Sequence, residues 1–120
     1  MPPLDGVRVL LVEDEAHVAF LLEDLLTDLG CEVAASVARL GPALRRAEEG
    51  GFDVALLDIN LAGEQSFPVA EALARRGVPF LFATGYGAAG VPEALSGAPV
   101  LAKPFRQADI RDALLSLLRR

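Results

Sequence analysis

The chain has 120 residues, 52% hydrophobic and 23% charged, with 17 acidic against 11 basic side chains and a net charge of −6. That balance excludes intrinsic disorder and fits one domain over residues 1–120, long enough to bury roughly two-thirds of its unfolded surface without metal or disulfide staples. The acidic excess, with basic residues scattered as pairs (Arg45 and Arg46, Arg75 and Arg76, Arg119 and Arg120), is the wrong footprint for nucleic acid.

Apolar runs of strand length recur at Val7 to Val12, Val33 to Ala35, Val54 to Leu57, Val78 to Ala83 and Pro99 to Ala102. Helical patterns fill the gaps. Val18, Leu21, Leu22, Leu25, Leu26 and Leu29 form a stripe down one helix face that Gly30 ends. A second helix carries Leu40, Ala43, Leu44 and Ala47 and stops at Gly50 and Gly51, with Pro42 blurring its start. The third begins at Ser66 as N-cap and stacks Ala70, Leu73 and Ala74 before Gly77. A short, weak fourth is expected at Val91 to Leu95, and the last presents Ile110, Leu114, Leu117 and Leu118. Strands alternating with helices imply parallel strands joined by right-handed crossovers, an α/β fold of one doubly wound, five-stranded parallel sheet with helices on both faces. The strands near Val9 and Val54 are apolar almost throughout, which places them at the sheet centre. One cysteine, Cys31, excludes an internal disulfide framework. The start Met1-Pro2-Pro3-Leu4-Asp5 does not read as a signal peptide, and no apolar run approaches the ~20 residues of a membrane span. A cytoplasmic location without membrane contact is expected.

Four strands end in an ionisable or hydroxyl residue: Val12 leads to Glu13 and Asp14, Leu57 to Asp58, Ala83 to Thr84 and Ala102 to Lys103. In an open parallel sheet these carboxyl ends share one cleft. Carboxylates crowded there repel one another unless a cation joins them, and hard oxygen donors with room for water suit Mg²⁺. With an ammonium and a hydroxyl opposite, the cleft becomes a receptor for phosphoryl oxygens, and Asp58 is its natural nucleophile.

These motifs resemble the receiver domains of two-component response regulators: Val12-Glu13-Asp14, Leu57-Asp58-Ile59-Asn60, Ala83-Thr84-Gly85 and Lys103-Pro104-Phe105, spread over essentially the whole chain. The resemblance implies the flavodoxin-like strand order 2-1-3-4-5 and transfer of phosphate from a histidine kinase or phosphotransfer protein to Asp58. It further implies Mg²⁺ held by Glu13, Asp14, Asp58 and the backbone carbonyl of Asn60, with Thr84 as switch hydroxyl and Lys103 paired with the phosphate. The Lys103-Pro104 peptide would be cis. Such a protein is a phosphoacceptor that promotes only its own phosphorylation and dephosphorylation, not an enzyme acting on other substrates. Because no DNA-binding region follows in this sequence, its output is expected through a downstream protein partner or phosphate relay.

The stretch Pro79-Phe80-Leu81-Phe82-Ala83-Thr84-Gly85-Tyr86 further resembles a subgroup, often single-domain, that works with kinases of the HWE and related types. Two positions depart from most receivers: Val100 stands where an aromatic residue is usual, and Ala62 where proline is frequent. Without the ring at position 100, Gly85 to Gly97, with four glycines and Tyr86, is the segment expected to become ordered on phosphorylation.

Other readings carry less. A phosphatase of the haloacid dehalogenase type needs a second Asp two residues after the nucleophile, where Asn60 stands. A degenerate receiver that binds partners without phosphate leaves the full acidic set and Lys103 unexplained. His17, the one histidine, reads as a surface residue beside a helix stripe, and Cys31 as a small apolar group. Gly85, Gly87 and Gly90 do not follow the first strand as a dinucleotide fingerprint requires.

Overall fold

Unbroken apolar runs and the helical stripes between them organise the computed structural model, which describes residues 4–84, 95, 97–102 and 106–118, Thr84 by its backbone alone. In chain order the elements are β1 (Arg8–Val12), α1 (Ala16–Asp28), β2 (Glu32–Val37), α2 (Leu40–Glu49), β3 (Val54–Asp58), β4 (Asn60–Leu61), β5 (Glu64–Gln65), α3 (Phe67–Arg75), β6 (Phe80–Thr84), β7 (Val100–Ala102) and α4 (Gln107–Leu118). The long strands pair in parallel in the order β2-β1-β3-β6-β7, which is 2-1-3-4-5 when β4 and β5 are set aside.

Alternation splits the core into two layers. Leu10, Val12, Ala55, Leu57, Phe80 and Phe82 face α2 and α3, whereas Val9, Leu11, Val54, Leu56, Leu81 and Ala83 face α1 and α4. The central strands β1 and β3 are buried on both sides, as their unbroken apolar runs require. Helix α1 buries Ala19, Leu22 and Leu26, but its stripe is narrower than the spacing suggests: Leu21 is 49% exposed beside Phe20 at 66%. Gly30 ends it at φ 93, a left-handed conformation that lets the amides of Gly30 and Cys31 fold back onto the carbonyls of Thr27 and Leu26. Pro42 falls in the first turn of α2, where its missing N–H has no intrahelical partner to lose.

Three further details differ from the sequence expectation. Ser66 stands at the N-cap of α3, yet its hydroxyl does not cap; its backbone carbonyl accepts from the amides of Val69 and Ala70. Strand β2 runs from Glu32 to Val37, longer than the apolar run, because pairing with β1 carries through Ser36. A small antiparallel hairpin, β4–β5, follows β3 directly and has no counterpart in the sequence reading. The expected helix at Val91 to Leu95 falls, apart from Leu95, outside the described residues. The segment Gly85 to Gly97 lies largely outside them as well, Tyr86 included.

Val100 lies beside Phe82 in the register of β6 and β7. Phe82 makes edge-to-face contacts with Phe67 at 5.9 Å and Phe80 at 5.6 Å. Among the described residues, the aromatic rings packed around Phe82 come from β6 and the start of α3, and a small branched residue stands next to them in the register.

Candidate functional site

The carboxyl ends of β1 and β3 adjoin because Val12 pairs with Leu57. Glu13 prolongs the β1–β2 pairing, its N–H donating to the Val37 carbonyl at 3.0 Å, and is 2% exposed. Asp58 is itself the last residue of β3, opposite Ala83, and 7% exposed. Asp14, half-buried, lies in the short connection to α1. One carboxylate oxygen from each of Glu13, Asp14 and Asp58 lies within 4.8 Å of the others.

Backbone amides brace all three side chains. Glu13 Oε2 accepts from the Glu15 N–H at 3.1 Å, Asp58 Oδ1 from the Asn60 N–H at 3.4 Å, and Asp14 Oδ2 from the Ala62 N–H at 3.0 Å. Burial pushes the Asp14 carboxyl up, but the Ala62 amide, with further hydrogen bonds to the Glu13 carboxyl group, the backbone and the Asp58 carboxyl group, outweighs it and holds Asp14 below the usual carboxylate range.

The Ala62 amide is presented by the β4–β5 hairpin. Asn60 pairs with Gln65 and Leu61 with Glu64, so Ala62 and Gly63 form a two-residue loop with φ 52 and 90, the signs a type I′ turn needs. The Asn60 side-chain oxygen accepts from the Gly63 N–H at 2.9 Å, closing the loop from inside. This geometry accounts for the absence of proline at position 62: proline fixes φ near −65° and would remove the N–H that Asp14 uses. The Asn60 side-chain oxygen is thus engaged within the hairpin.

Thr84 ends β6, its backbone paired with Ala102 of β7. Its side chain, Lys103 and the Lys103-Pro104 peptide lie outside the described residues. His17 is exposed, with Nε2 3.7 Å from Glu15 Oε2, and Cys31 is buried in the α1/α4 layer, where burial pushes its thiol pKa up.

Three clustered carboxylates, two of them buried, form a hard-oxygen donor set whose mutual repulsion a divalent cation relieves, so the residues present fit Mg²⁺. The Ala62 and Glu15 amides escape a search for functional side chains because they are backbone groups. The Ala62 amide has one sequence signal, Gly63, a turn residue close behind Asp58, and the Glu15 amide has none.

A flavodoxin-like sheet with this acidic cluster at the ends of its first and third strands defines a receiver domain, and the chain belongs to the response regulator receiver domain family, matched over residues 9–115. Among solved structures it is similar to SdrG from Sphingomonas melonis Fr1, at 46% identity and a TM-score of 0.84 over 94% of this chain and 97% of that one. The receiver domain of the sensor histidine kinase PA1611 from Pseudomonas aeruginosa PAO1, solved with magnesium coordinated in its active-site cleft, aligns at 28% identity and a TM-score of 0.81 over 96% of this chain and 99% of that one. The transcriptional regulatory protein TcrA of Mycobacterium tuberculosis is 35% identical across 98% of this chain and 48% of its own length, so the chain spans about half of that relative. Among the described residues no helix is long and apolar enough to cross a membrane.

Proposed function

We propose that this receiver domain is a cytoplasmic, phosphorylation-dependent switch that accepts a phosphoryl group on Asp58 from a phosphohistidine of a partner kinase, of the HWE type, or of a phosphotransfer protein. The convergence of Glu13, Asp14 and Asp58 carries this reading. An Asp58 carboxylate oxygen attacks phosphorus, the phosphorus–nitrogen bond to the donor imidazole breaks, and the ring nitrogen keeps the electron pair and takes up a proton. The product is an acyl phosphate on Asp58, later cleaved by water. Glu13, Asp14, Asp58 and the Asn60 carbonyl would hold Mg²⁺, which would supply positive charge for phosphoryl oxygens that become more negative in transfer. In this reading Lys103 sets its ammonium against the phosphate, and Thr84 donates its hydroxyl to a phosphoryl oxygen. The chain acts on no other substrate, and the altered surface is read by a downstream protein partner rather than by nucleic acid.

Incubation with Mg²⁺ and acetyl phosphate, followed by intact mass, tests the reading. The expected result is one adduct of about 80 Da, the mass of a phosphoryl group, that is lost in alkali. A folded protein that takes up no phosphate would count against it and favour a module that binds partners without phosphate.

A further inference from the structure

Of the three backbone braces on the acidic cluster, two are local: the Glu15 and Asn60 amides each lie two residues beyond the side chain they hold. The third reaches Asp14 from the β4–β5 hairpin, 48 residues along the chain. Its position is fixed by the turn backbone and the Asn60 side chain. Ala62 holds φ 52, a left-handed conformation that alanine adopts at a cost of about 1 kcal/mol, and the Asn60–Gly63 hydrogen bond closes the loop around it. The Ala62 side chain is exposed. What the loop contributes to the site is therefore its N–H, aimed at one oxygen of Asp14.

That contact restricts how Asp14 can meet a cation. A carboxylate that chelates a metal through both oxygens gives it a lone pair of each, and the Ala62 N–H competes for those of Asp14 Oδ2. A carboxylate that offers one oxygen keeps the hydrogen bond on the other. Mg²⁺ requires compact octahedral coordination and takes single carboxylate oxygens, whereas Ca²⁺ gathers six to eight oxygens and gains from bidentate carboxylates. We infer that the Ala62 amide is a positioning group that keeps Asp14 a one-oxygen ligand and so biases the site toward small octahedral divalent cations and against Ca²⁺. The inference rests on the reading that Glu13, Asp14 and Asp58 hold a divalent cation.

The test replaces residue 62 by lactic acid, the α-hydroxy counterpart of alanine, so that an ester oxygen stands where the N–H was and the methyl group is kept. Mg²⁺ and Ca²⁺ affinities are then measured by calorimetric titration for wild type, the ester variant and Ala62→Gly, which retains both the N–H and the left-handed turn. Wild type and Ala62→Gly are expected to share one Mg²⁺-to-Ca²⁺ affinity ratio, and the ester variant to lower that ratio by about tenfold, the low end of what lost outer contacts do to metal sites. Asn60→Ala, which removes the brace on Gly63 but keeps the backbone carbonyl, is expected to move the ratio in the same direction and serves if the ester variant does not fold. A ratio unchanged from wild type, including an equal loss of both cations, would overturn the inference while leaving the metal reading intact. A folded wild type that binds neither cation would overturn the metal reading and the inference with it.

Discussion

Asp58→Asn separates the structural cost of the acidic cluster from its use. Asp58 is 7% exposed, and its carboxylate shares a region 4.8 Å across with those of Glu13, itself 2% exposed, and Asp14. Two like charges at that separation repel by about 1 kcal/mol in water and about 3.5 kcal/mol at the effective dielectric near 20 that suits protein sites. Protonation caps the upper figure, since a crowded carboxyl takes up a proton once repulsion exceeds the cost of doing so. Asparagine keeps the shape and, through its carbonyl oxygen, the 3.4 Å contact with the Asn60 amide. The variant is therefore expected to be more stable than wild type by about 1 to 3 kcal/mol in EDTA at neutral pH. Saturating Mg²⁺ should reverse the order of benefit: at 100 times the dissociation constant it adds about 2.7 kcal/mol to a protein that binds it and far less to a variant that lacks a ligand. Urea denaturation followed by circular dichroism, with and without Mg²⁺, reads both quantities. An Asp58→Asn protein that is less stable than wild type in EDTA, or gains as much from Mg²⁺, would refute the reasoning.

Further outcomes follow from the surrounding structure. Ala62→Asn should stabilise the fold by about 1 kcal/mol, because asparagine tolerates the left-handed region and Asn-Gly favours the type I′ turn, whereas Ala62→Pro should cost about 3 kcal/mol by losing both the turn and the amide held by Asp14; thermal unfolding distinguishes them. Phe82→Ala removes a fully buried ring with two edge-to-face partners and should cost about 3 to 5 kcal/mol in urea denaturation. Burial holds the Cys31 thiol above its ordinary value of 9.0, so the folded protein keeps a proton that the unfolded chain releases. That contribution is fully present below pH ~9 and is lost as pH rises through the folded pKa, and a Cys31→Ala variant should show a flatter fall of the urea midpoint at alkaline pH.

The single sheet with a core on each face was legible because burial imposes a pattern: unbroken apolar runs at Val9 to Val12 and Val54 to Leu57 read as strands covered on both faces. Glu13, Asp14 and Asp58 could be nominated from the same logic, since carboxyl ends of parallel strands converge. The β4–β5 hairpin was not legible, because two-residue strands are too short to show alternation and the turn uses Ala62 where asparagine or glycine would have announced it. Leu21 misled the helix reading because i, i+3 and i+4 spacing marks a face but not its width, and the sheet covers only the part centred on Leu22 and Leu26. Ser66 occupies the position expected of a cap without the hydrogen bond: sequence gives residue type and place, but not the direction of the side chain.

The central claim is that Asp58 is the phosphoacceptor of this receiver domain and that Mg²⁺ is needed to load it. The most direct measurement is peptide mass mapping after acetyl phosphate treatment and borohydride reduction, which converts an aspartyl phosphate to homoserine, on wild type with Mg²⁺, wild type with EDTA, and Asp58→Asn with Mg²⁺. The account predicts homoserine at position 58 in the first sample and at no position in the other two. Homoserine at a different aspartate in wild type, or equal conversion of Asp58 in EDTA, would contradict it.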